Sequence, residues 1–280
     1  MPELPEVETI RRGLTNLVQG TTIVSVDALY PKMLNMPAKE FENMLAGKEI
    51  LQIDRRGKYL LIRLSDDYTL VSHLRMEGKY DVVPEGTENQ KHTYVVFHLN
   101  DERELRYNDT RKFGKMNLVK DSQVYDLSGL NKIGPEPTEE DLTFDYLKKQ
   151  LHKSHRKIKA FLLDQSNIAG IGNIYADETL WLSKIHPEQA TNYLSDQEIE
   201  TLRENIIKEI QLAIKGHGTT VFTYKNAFGE EGSFQNHLHV YGKKGQPCER
   251  CGTPIEKIKV AQRGTSFCPY CQRVHGDLSE

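Results

Sequence analysis

The chain begins with residues that could supply an unusual nucleophile. Pro2 directly follows Met1, and a small second residue ordinarily permits removal of the initiator methionine, which would leave Pro2 with a free secondary amine. An amino terminus has a pKa near 8, against about 10.4 for lysine, so more of it is unprotonated at neutral pH. Such an amine can attack C1′ of a sugar and form a cationic iminium, as lysine does in Schiff-base catalysis. Position alone leaves open the alternative of an inert terminal proline.

Two acids stand beside this terminus. Glu3 and Glu6 flank Pro5 at the start of an amphipathic pattern, where the helix dipole favours carboxylates. Carboxylates next to a nucleophile also suit proton transfer to a sugar oxygen or to a leaving base. Helix capping explains one acid without any chemistry, so Glu6 has a structural interpretation as well as a functional one.

The four cysteines form a second chemically distinctive pattern. Two residues separate Cys248 from Cys251 and Cys268 from Cys271, and sixteen residues lie between the pairs. Two such knuckles can place four thiolates tetrahedrally around one Zn²⁺. Two disulfides or free thiols are the alternatives; a cytosolic setting disfavours the first and the clustering disfavours the second. We predict one structural zinc, because four thiolates leave no open position for a substrate.

The residues between the knuckles alternate like a β-hairpin. The segment IEKIKVAQRGTSF has a period of two, and we predict Arg263 and Gly264 at its tip. A hairpin on a zinc mount would hold the arginine outwards. Many unrelated proteins contain a zinc ribbon, so this feature predicts no function by itself.

Composition excludes several classes of protein. The 280 residues suffice for two domains, and the 38% hydrophobic content is ordinary for a globular protein. No run approaches the roughly 18 apolar residues of a membrane span, and acids occupy the place of a signal peptide's apolar core. We therefore predict a cytoplasmic protein with no membrane partner. The sequence gives no reason to expect a dimer, so we predict a monomer.

Basic residues are concentrated in segments, although the formal net charge is −3. Six Lys and Arg residues and no acid lie between Lys148 and Lys159, and seven against two Glu lie between His237 and His275. A third segment runs from Arg111 to Lys120. Any one of them could be a solvated face, but together they indicate a protein that presents a charged side to a polyanion.

The periodicity of the chain predicts which elements position these residues. Apolar residues at three- and four-residue steps predict a helix over residues 1–20. From Thr21 to about Lys120 the period changes to two, which predicts the short strands of a β-sandwich or barrel. Gly134-Pro135-Glu136-Pro137 interrupts the pattern, and we place the domain linker there.

The second half is predicted to be helical as far as the cysteines. The predicted helices include one around Phe144–Leu151, one over Lys157–Leu163 capped by Ser154, one from near Ile174, and one over Ser195–Lys215 with a Ser195/Glu198 capping box. We predict an α+β protein of two domains, the second of which also holds the zinc finger. The predicted boundaries are 1–133 for the β-sandwich with its leading helix, 134–236 for the helical part and 237–280 for the zinc finger.

Several motifs in the same order resemble one enzyme family. The chain contains MPELPEVETIRRGL, RRGKYL, SHLRMEGKY, DTRKFGKM, IGPEP, AGIGNIYADETLW, VYGKKGQPCERCG and KVAQRGTSFCPYCQ. These motifs, which are spread over the whole chain, resemble those of formamidopyrimidine-DNA glycosylases. The resemblance implies an N-terminal β-sandwich domain, a helix-two-turn-helix domain and a four-cysteine zinc-finger hairpin.

The resemblance also implies a function. It implies a base-excision-repair enzyme, both glycosylase and abasic-site lyase, whose partner is damaged double-stranded DNA and whose substrates are oxidised purines. Pro2 matches the Schiff-base nucleophile, Glu3 the acid beside it, and Lys58 a lysine assigned to proton transfer in β-elimination. Arg263 matches a zinc-finger arginine that grips phosphate and is assigned to δ-elimination. One structural zinc and no nucleotide cofactor are implied.

Six further residues match DNA-contacting positions of the family. Met76, Arg111 and Phe113 match residues that fill the gap left by a flipped nucleotide, whereas His92, Lys159 and Asn173 resemble backbone-binding positions. Extruding a base costs a few kcal/mol, and an apolar wedge with an arginine can occupy the hole and hydrogen-bond the orphaned base. Met76 and Phe113 taken alone would equally suit a core, but the basic residues around them predict strand ends in a charged surface.

The chain departs from the family at two places. Thr93-Tyr94 stands where relatives often have a second histidine, and Asn236-His237-Leu238-His239 stands where they usually have an acid. Neither departure touches the residues assigned to chemistry. The stretch from Thr219 to Phe234 falls where the family has a mobile loop over the extruded base, and lesion preference is expected to depend on it.

Two other functions remain as alternatives. One is an endonuclease VIII-type glycosylase, which removes oxidised pyrimidines with the same proline chemistry; Leu4 and the intact RKFG segment favour the purine-specific type. The other is a non-catalytic zinc-ribbon protein that binds DNA without forming a covalent intermediate.

Overall fold

Two compact units make up the chain. The computed structural model describes residues 1–127, 129–219 and 233–276. One unit contains Met1–Asn131 and the described residues 217–219, and the other contains Lys132–Gly216 and residues 233–276. The predicted division into three domains at residues 133 and 236 stays a prediction.

Two antiparallel sheets form the body of the first unit. One sheet has the strand order β1 (Ile23–Ala28), β6 (Thr93–Leu99), β7 (Arg103–Asp109) and β5 (Gly78–Pro84). The other has the order β2 (Ile50–Arg56), β3 (Tyr59–Leu64), β4 (Tyr68–His73) and β8 (Lys115–Lys120). Apolar residues from both sheets share one core, because alternate residues of each strand face the same side. The predicted β-sandwich is confirmed.

A helix leads into this sandwich. Helix α1 spans Leu4–Val18 and buries Val7, Ile10 and Leu14, as the predicted spacing requires. Two short helices, α2 (Ala38–Leu45) and α3 (Val124–Leu127), were not predicted. Helix α2 is only eight residues long, too short for its period to stand out among strands.

The second unit is helical, as predicted. Its helices are α4 (Phe144–Lys153), α5 (Ile158–Leu163), α6 (Asn173–Leu182) and α7 (Asp196–Lys215). The Ser195/Glu198 capping box of α7 is confirmed. The predicted Ser154 cap of α5 is wrong, because Ser154 instead ends α4 and its Oγ accepts from the backbone N–H of Arg156. No helix in the described part of the chain is long and apolar enough to cross a membrane.

The zinc-finger hairpin closes the second unit. Strands β9 (Glu256–Val260) and β10 (Arg263–Phe267) pair in antiparallel, with Arg263 opposite Val260. Ala261 and Gln262 form the turn, with φ of 49° and 60°. A two-residue turn with both φ values positive matches the twist of a hairpin. The hairpin is confirmed, but its predicted tip at Arg263-Gly264 is wrong: Arg263 lies one residue beyond the turn, as the first residue of β10.

Candidate active site and DNA-contact residues

The predicted nucleophile and its acid lie at the start of α1. Glu3 is the N-cap residue, and its backbone N–H donates to Oε2 of Glu6 at 2.9 Å in a capping box. Pro2 and Glu3 are both buried. Oε1 of Glu6 accepts from the N–H and the hydroxyl of Thr219 at 2.8 and 3.1 Å. Glu6 therefore has a structural role, and it ties the helix start to the edge of the predicted loop, whose residues 220–232 lie outside the described chain.

The environment of the chain start favours a neutral amine. The structure includes Met1, so the amine belongs to that residue, and its removal would transfer the amine to Pro2. Burial lowers the pKa of the Met1 amine to about 6, and the ammonium of Lys58 acts in the same direction. The carboxylates that oppose this shift are those of Glu3, Glu6 and Glu77. Because only the neutral amine is nucleophilic, this electrostatic setting suits the predicted chemistry.

Lys58 lies in the tight turn between β2 and β3, and only 5% of it is exposed. His73, at the end of β4, is a neighbour of Lys58 that the sequence did not indicate as a site residue. Burial lowers the pKa of His73 to about 3, with the charges of Arg75 and Lys58 acting in the same direction. The neutral ring accepts at Nδ1 from the backbone N–H of Arg75 at 2.9 Å, which leaves its proton on Nε2 as a donor.

The predicted gap-filling residues lie on two loops of the first unit. Met76 is half-buried in the turn between β4 and β5, whereas Arg111 and Phe113 lie between β7 and β8. Phe113 is 48% exposed, and the guanidinium carbon of Arg111 is 5.0 Å from its ring centroid. Both loops follow strand ends, as predicted. The role of these residues in filling a gap in DNA stays a prediction.

A buried carboxylate shapes the loop that carries Phe113. Asp109 is 1% exposed and accepts the backbone N–H groups of Arg111, Phe113 and Gly114 at 2.9, 2.9 and 2.8 Å. Three hydrogen bonds to one charged acceptor hold three peptide groups of the loop in a fixed arrangement. The conformation of this loop is therefore set by hydrogen bonds within the protein.

Tyr107 packs between the two loops. Its hydroxyl lies so close to Gly78 and Gly114 that a Cβ atom at either position would collide with it. Only glycine permits such an approach. One buried tyrosine therefore fixes the spacing between the turn of Met76 and the loop of Phe113.

His92 immediately precedes β6. Its Nδ1 is 3.2 Å from the hydroxyl of Tyr94, and its carbonyl accepts from the N–H of Asp109 at 3.0 Å. The neighbouring Thr93 is buried and donates to Asn108 at 2.6 Å. The departure from the family at residues 93 and 94 thus has a structural use, since both side chains support the segment that carries His92.

Three predicted site residues come together in the second unit. Arg263 is exposed at the start of β10, and Asn173 at the start of α6 donates to the carbonyl of Gly264 at 3.0 Å. Lys159, in α5, is 0% exposed; its ammonium donates to Asp177 Oδ1 at 2.5 Å and to the same Gly264 carbonyl at 3.2 Å. The predicted contact of Lys159 with the DNA backbone stays a prediction, although burial leaves its ammonium no exposed surface.

The four cysteines converge as a metal site requires. The sulfur atoms of Cys248, Cys251, Cys268 and Cys271 all lie within 4.8 Å of one another. Two of the separations are 4.0 Å, from Cys248 to Cys271, and 3.5 Å, from Cys251 to Cys268. Sulfur atoms placed tetrahedrally about 2.3 Å from Zn²⁺ would be about 3.8 Å apart. The site therefore fits one structural zinc ion, and all four cysteines are free of disulfides.

Trp181 contacts this zinc site from helix α6. Its indole N–H donates to the sulfur of Cys248 at 3.4 Å. Its ring lies 3.6 Å from the guanidinium carbon of Arg250 and 4.2 Å from the stacked ring of His239. His239 belongs to the second departure from the family, and its packing on the indole gives that departure a structural use.

The acids of α6 are functional candidates that sequence reasoning missed. Asp177 accepts from the N–H of Ser266 at 2.9 Å. Glu178 is 0% exposed and accepts three successive backbone N–H groups, of residues 239–241, at 2.6, 2.9 and 2.7 Å. Two consecutive acids inside the apolar run IYADETLW were the available signal, because buried carboxylates need partners.

Comparison with known proteins covers nearly the whole chain. Residues 1–116 match the family model for the formamidopyrimidine-DNA glycosylase N-terminal domain, and residues 133–224 match the formamidopyrimidine-DNA glycosylase H2TH domain. Residues 245–274 match a zinc finger found in FPG and IleRS. Formamidopyrimidine-DNA glycosylase of Lactiplantibacillus plantarum is 62% identical over 274 residues, which cover 98% of this chain and 100% of that protein.

Two crystal structures of the Lactococcus lactis protein are also similar. One is a variant FPG in complex with DNA containing Fapy-dG, with a TM-score of 0.93 and 47% identity over 97% of this chain and 100% of that one. The other is the wild-type protein in complex with DNA containing an oxidized pyrimidine, with a TM-score of 0.92 and the same identity and coverage. Together with the motifs and the site geometry, these matches show that the chain belongs to the formamidopyrimidine-DNA glycosylase family.

Proposed function

We propose that this chain excises oxidised purines, 8-oxoguanine and formamidopyrimidines, from double-stranded DNA and then cleaves the strand at the resulting abasic site. Members of this family are glycosylases of base excision repair with lyase activity. One observation supports the residue-level proposal above others: the amine of Met1, at the chain start beside Pro2, lies within electrostatic reach of Lys58 and the carboxylate of Glu3, and burial lowers its pKa to about 6.

The proposed reaction begins at the imino nitrogen of Pro2. That nitrogen bonds to C1′ of the damaged nucleotide while the C1′–N bond breaks; the base leaves with the electron pair and takes up a proton from solvent. Loss of the amine proton and opening of the sugar ring give the iminium, and we assign the transfer of that proton to the ring oxygen to Glu3. Loss of a C2′ proton then expels the 3′ phosphate, and a second elimination expels the 5′ phosphate. We assign proton transfer in the first elimination to Lys58 and the second elimination to Arg263.

Other residues are assigned to DNA contact. We propose that Met76 and Phe113 enter the gap left by the extruded nucleotide while Arg111 hydrogen-bonds the orphaned base. His92 and Asn173 are proposed to contact backbone phosphates. The zinc ion does no chemistry in this proposal; it holds the hairpin that carries Arg263. We further propose that the protein acts as a monomer in the cytoplasm, at the nucleoid.

Borohydride trapping tests the nucleophile directly. Borohydride reduces an iminium to a stable amine, so incubation with an 8-oxoguanine duplex should give a covalent protein–DNA adduct. We expect the adduct to be lost in Pro2→Gly and kept in Pro5→Ala, a control at the next proline. Mass spectrometry of the intact protein and of its N-terminal peptide should show that Met1 is absent and that Pro2 carries the DNA. An adduct on a lysine, or tight DNA binding with no adduct, would contradict the proposal and favour the non-catalytic alternative.

The L. lactis complex with DNA that contains an oxidized pyrimidine makes oxidised pyrimidines a second substrate class to test. We expect single-turnover excision of 8-oxoguanine opposite cytosine to be faster than excision of thymine glycol from the same duplex context. The reverse order would favour the endonuclease VIII-type specificity. An abasic-site duplex serves as the control, because its cleavage needs no base recognition.

A further inference from the structure

The interior of the second unit contains an ion pair with no exposed surface. The ammonium of Lys159 and the carboxylate of Asp177 are 2.5 Å apart, and both side chains are 0% exposed. Removing two charges from water costs free energy. Without further hydrogen bonds, this desolvation cost usually exceeds the attraction between the two charges. A pair in this position therefore needs additional partners.

Those partners belong to the strand that carries Arg263. The Lys159 ammonium donates to the carbonyl of Gly264, the residue after Arg263, at 3.2 Å. The second oxygen of Asp177 accepts from the N–H of Ser266 at 2.9 Å. The two charged side chains thus hydrogen-bond to two peptide groups of β10, Lys159 to a carbonyl and Asp177 to an N–H.

The position of Arg263 depends on these hydrogen bonds to β10. It lies at the exposed start of β10 beside the turn, and an isolated two-stranded hairpin is at best marginally stable. One peptide bond joins Arg263 to Gly264, the residue whose carbonyl accepts from Lys159. The buried pair therefore contributes to the position of the base of the arginine side chain, together with Asn173, whose amide donates to the same carbonyl at 3.0 Å.

We infer that Lys159 and Asp177 are positioning residues for Arg263, with Lys159 acting through the hairpin rather than as a phosphate ligand. This inference rests on the proposed function, because it needs Arg263 to act on DNA. Loss of either charge shifts β10 and weakens the step assigned to Arg263. A misplacement of about 1 Å can reduce a reaction rate by roughly 100-fold.

The test compares the two elimination products on a duplex with a preformed abasic site at saturating enzyme. We expect Asp177→Asn and Lys159→Met each to lower the ratio of δ- to β-elimination product by about tenfold or more. Combining Asp177→Asn with Arg263→Ala should lower the ratio no further than Arg263→Ala alone. Glu188→Gln is the matched control, because its partner Lys157 belongs to an exposed pair near α5.

Further measurements separate the possible outcomes. If Lys159→Met lowers affinity and reduces the salt dependence of DNA binding while Asp177→Asn does neither, Lys159 contacts phosphate and the inference is wrong. The double variant Lys159→Met/Asp177→Leu should restore folding stability without restoring the product ratio, since apolar residues can replace a buried pair but not its bonds to β10. Zinc content should stay at one per chain throughout. Absence of a borohydride adduct in the wild type would refute the proposed function, whereas an unchanged product ratio in variants that still trap DNA would refute only this inference.

Discussion

Glu209, on α7, should make the stability of the second unit depend on pH. Its side chain is 4% exposed, and its Oε1 atom has no hydrogen-bond partner within the described residues. Burial, followed by the nearby carboxylate of Glu178, raises the pKa of Glu209 from 4.5 to about 7, against the smaller effect of Lys208. The folded protein therefore keeps a proton on Glu209 that the unfolded chain loses above pH 4.5.

The size of the effect follows from the shift. A difference of 7 − 4.5 = 2.5 pKa units at 1.36 kcal/mol per unit corresponds to about 3 kcal/mol. Because the folded-state pKa is raised, this contribution is fully present below pH 4.5 and is lost as the pH rises through 7. Replacing Glu209 with glutamine keeps the shape and removes the ionisation.

We expect Glu209→Gln to unfold with a free energy about 2 to 3 kcal/mol higher than the wild type at pH 8.5 and similar to it at pH 5. Urea unfolding followed by the fluorescence of Trp181, the only tryptophan of the chain, reports on the same unit. Glu204→Gln on the exposed side of α7 is the control and should leave the pH dependence unchanged. Parallel pH curves for the wild type and Glu209→Gln would refute the reasoning.

Three further predictions concern the site. Asp109→Asn should slow excision of 8-oxoguanine about tenfold, because an amide loses part of the charge-assisted hydrogen bonding that holds the loop of Phe113. Cleavage of an abasic site should be less affected, and equal losses in both assays would contradict this prediction. Trp181→Phe keeps the aromatic stack but removes the N–H bond to Cys248, so zinc transfer to a chromogenic chelator should be several-fold faster, and an unchanged rate would contradict this. The rate of trapping through Pro2 should fall as the pH decreases, with a midpoint below the value of about 8 of an ordinary amino terminus, and a midpoint at 8 or above would contradict it.

Local spacing determined much of what the sequence predicted. The cysteine spacing brought four sulfur atoms together, because each knuckle spans only four residues and allows few arrangements. The period of two over residues 21–120 gave strands, and the Ser195/Glu198 pair gave the start of α7, since alternation and capping involve neighbours along the chain. Residue type and position made Pro2 and Glu3 candidates for chemistry, whereas the specific roles of Pro2, Glu3 and Lys58 came from the family motifs.

Only the tertiary structure decided the partners of residues distant in sequence. Lys159 lies in a basic segment, and nothing local distinguishes it from its exposed neighbours; its burial depends on Asp177, 18 positions away, and on Gly264, 105 positions away. The Tyr107 contact between two loops has the same origin. Burial and long-range hydrogen bonds form when separate segments pack together, so their energies are properties of the folded chain and leave no periodic pattern in the sequence.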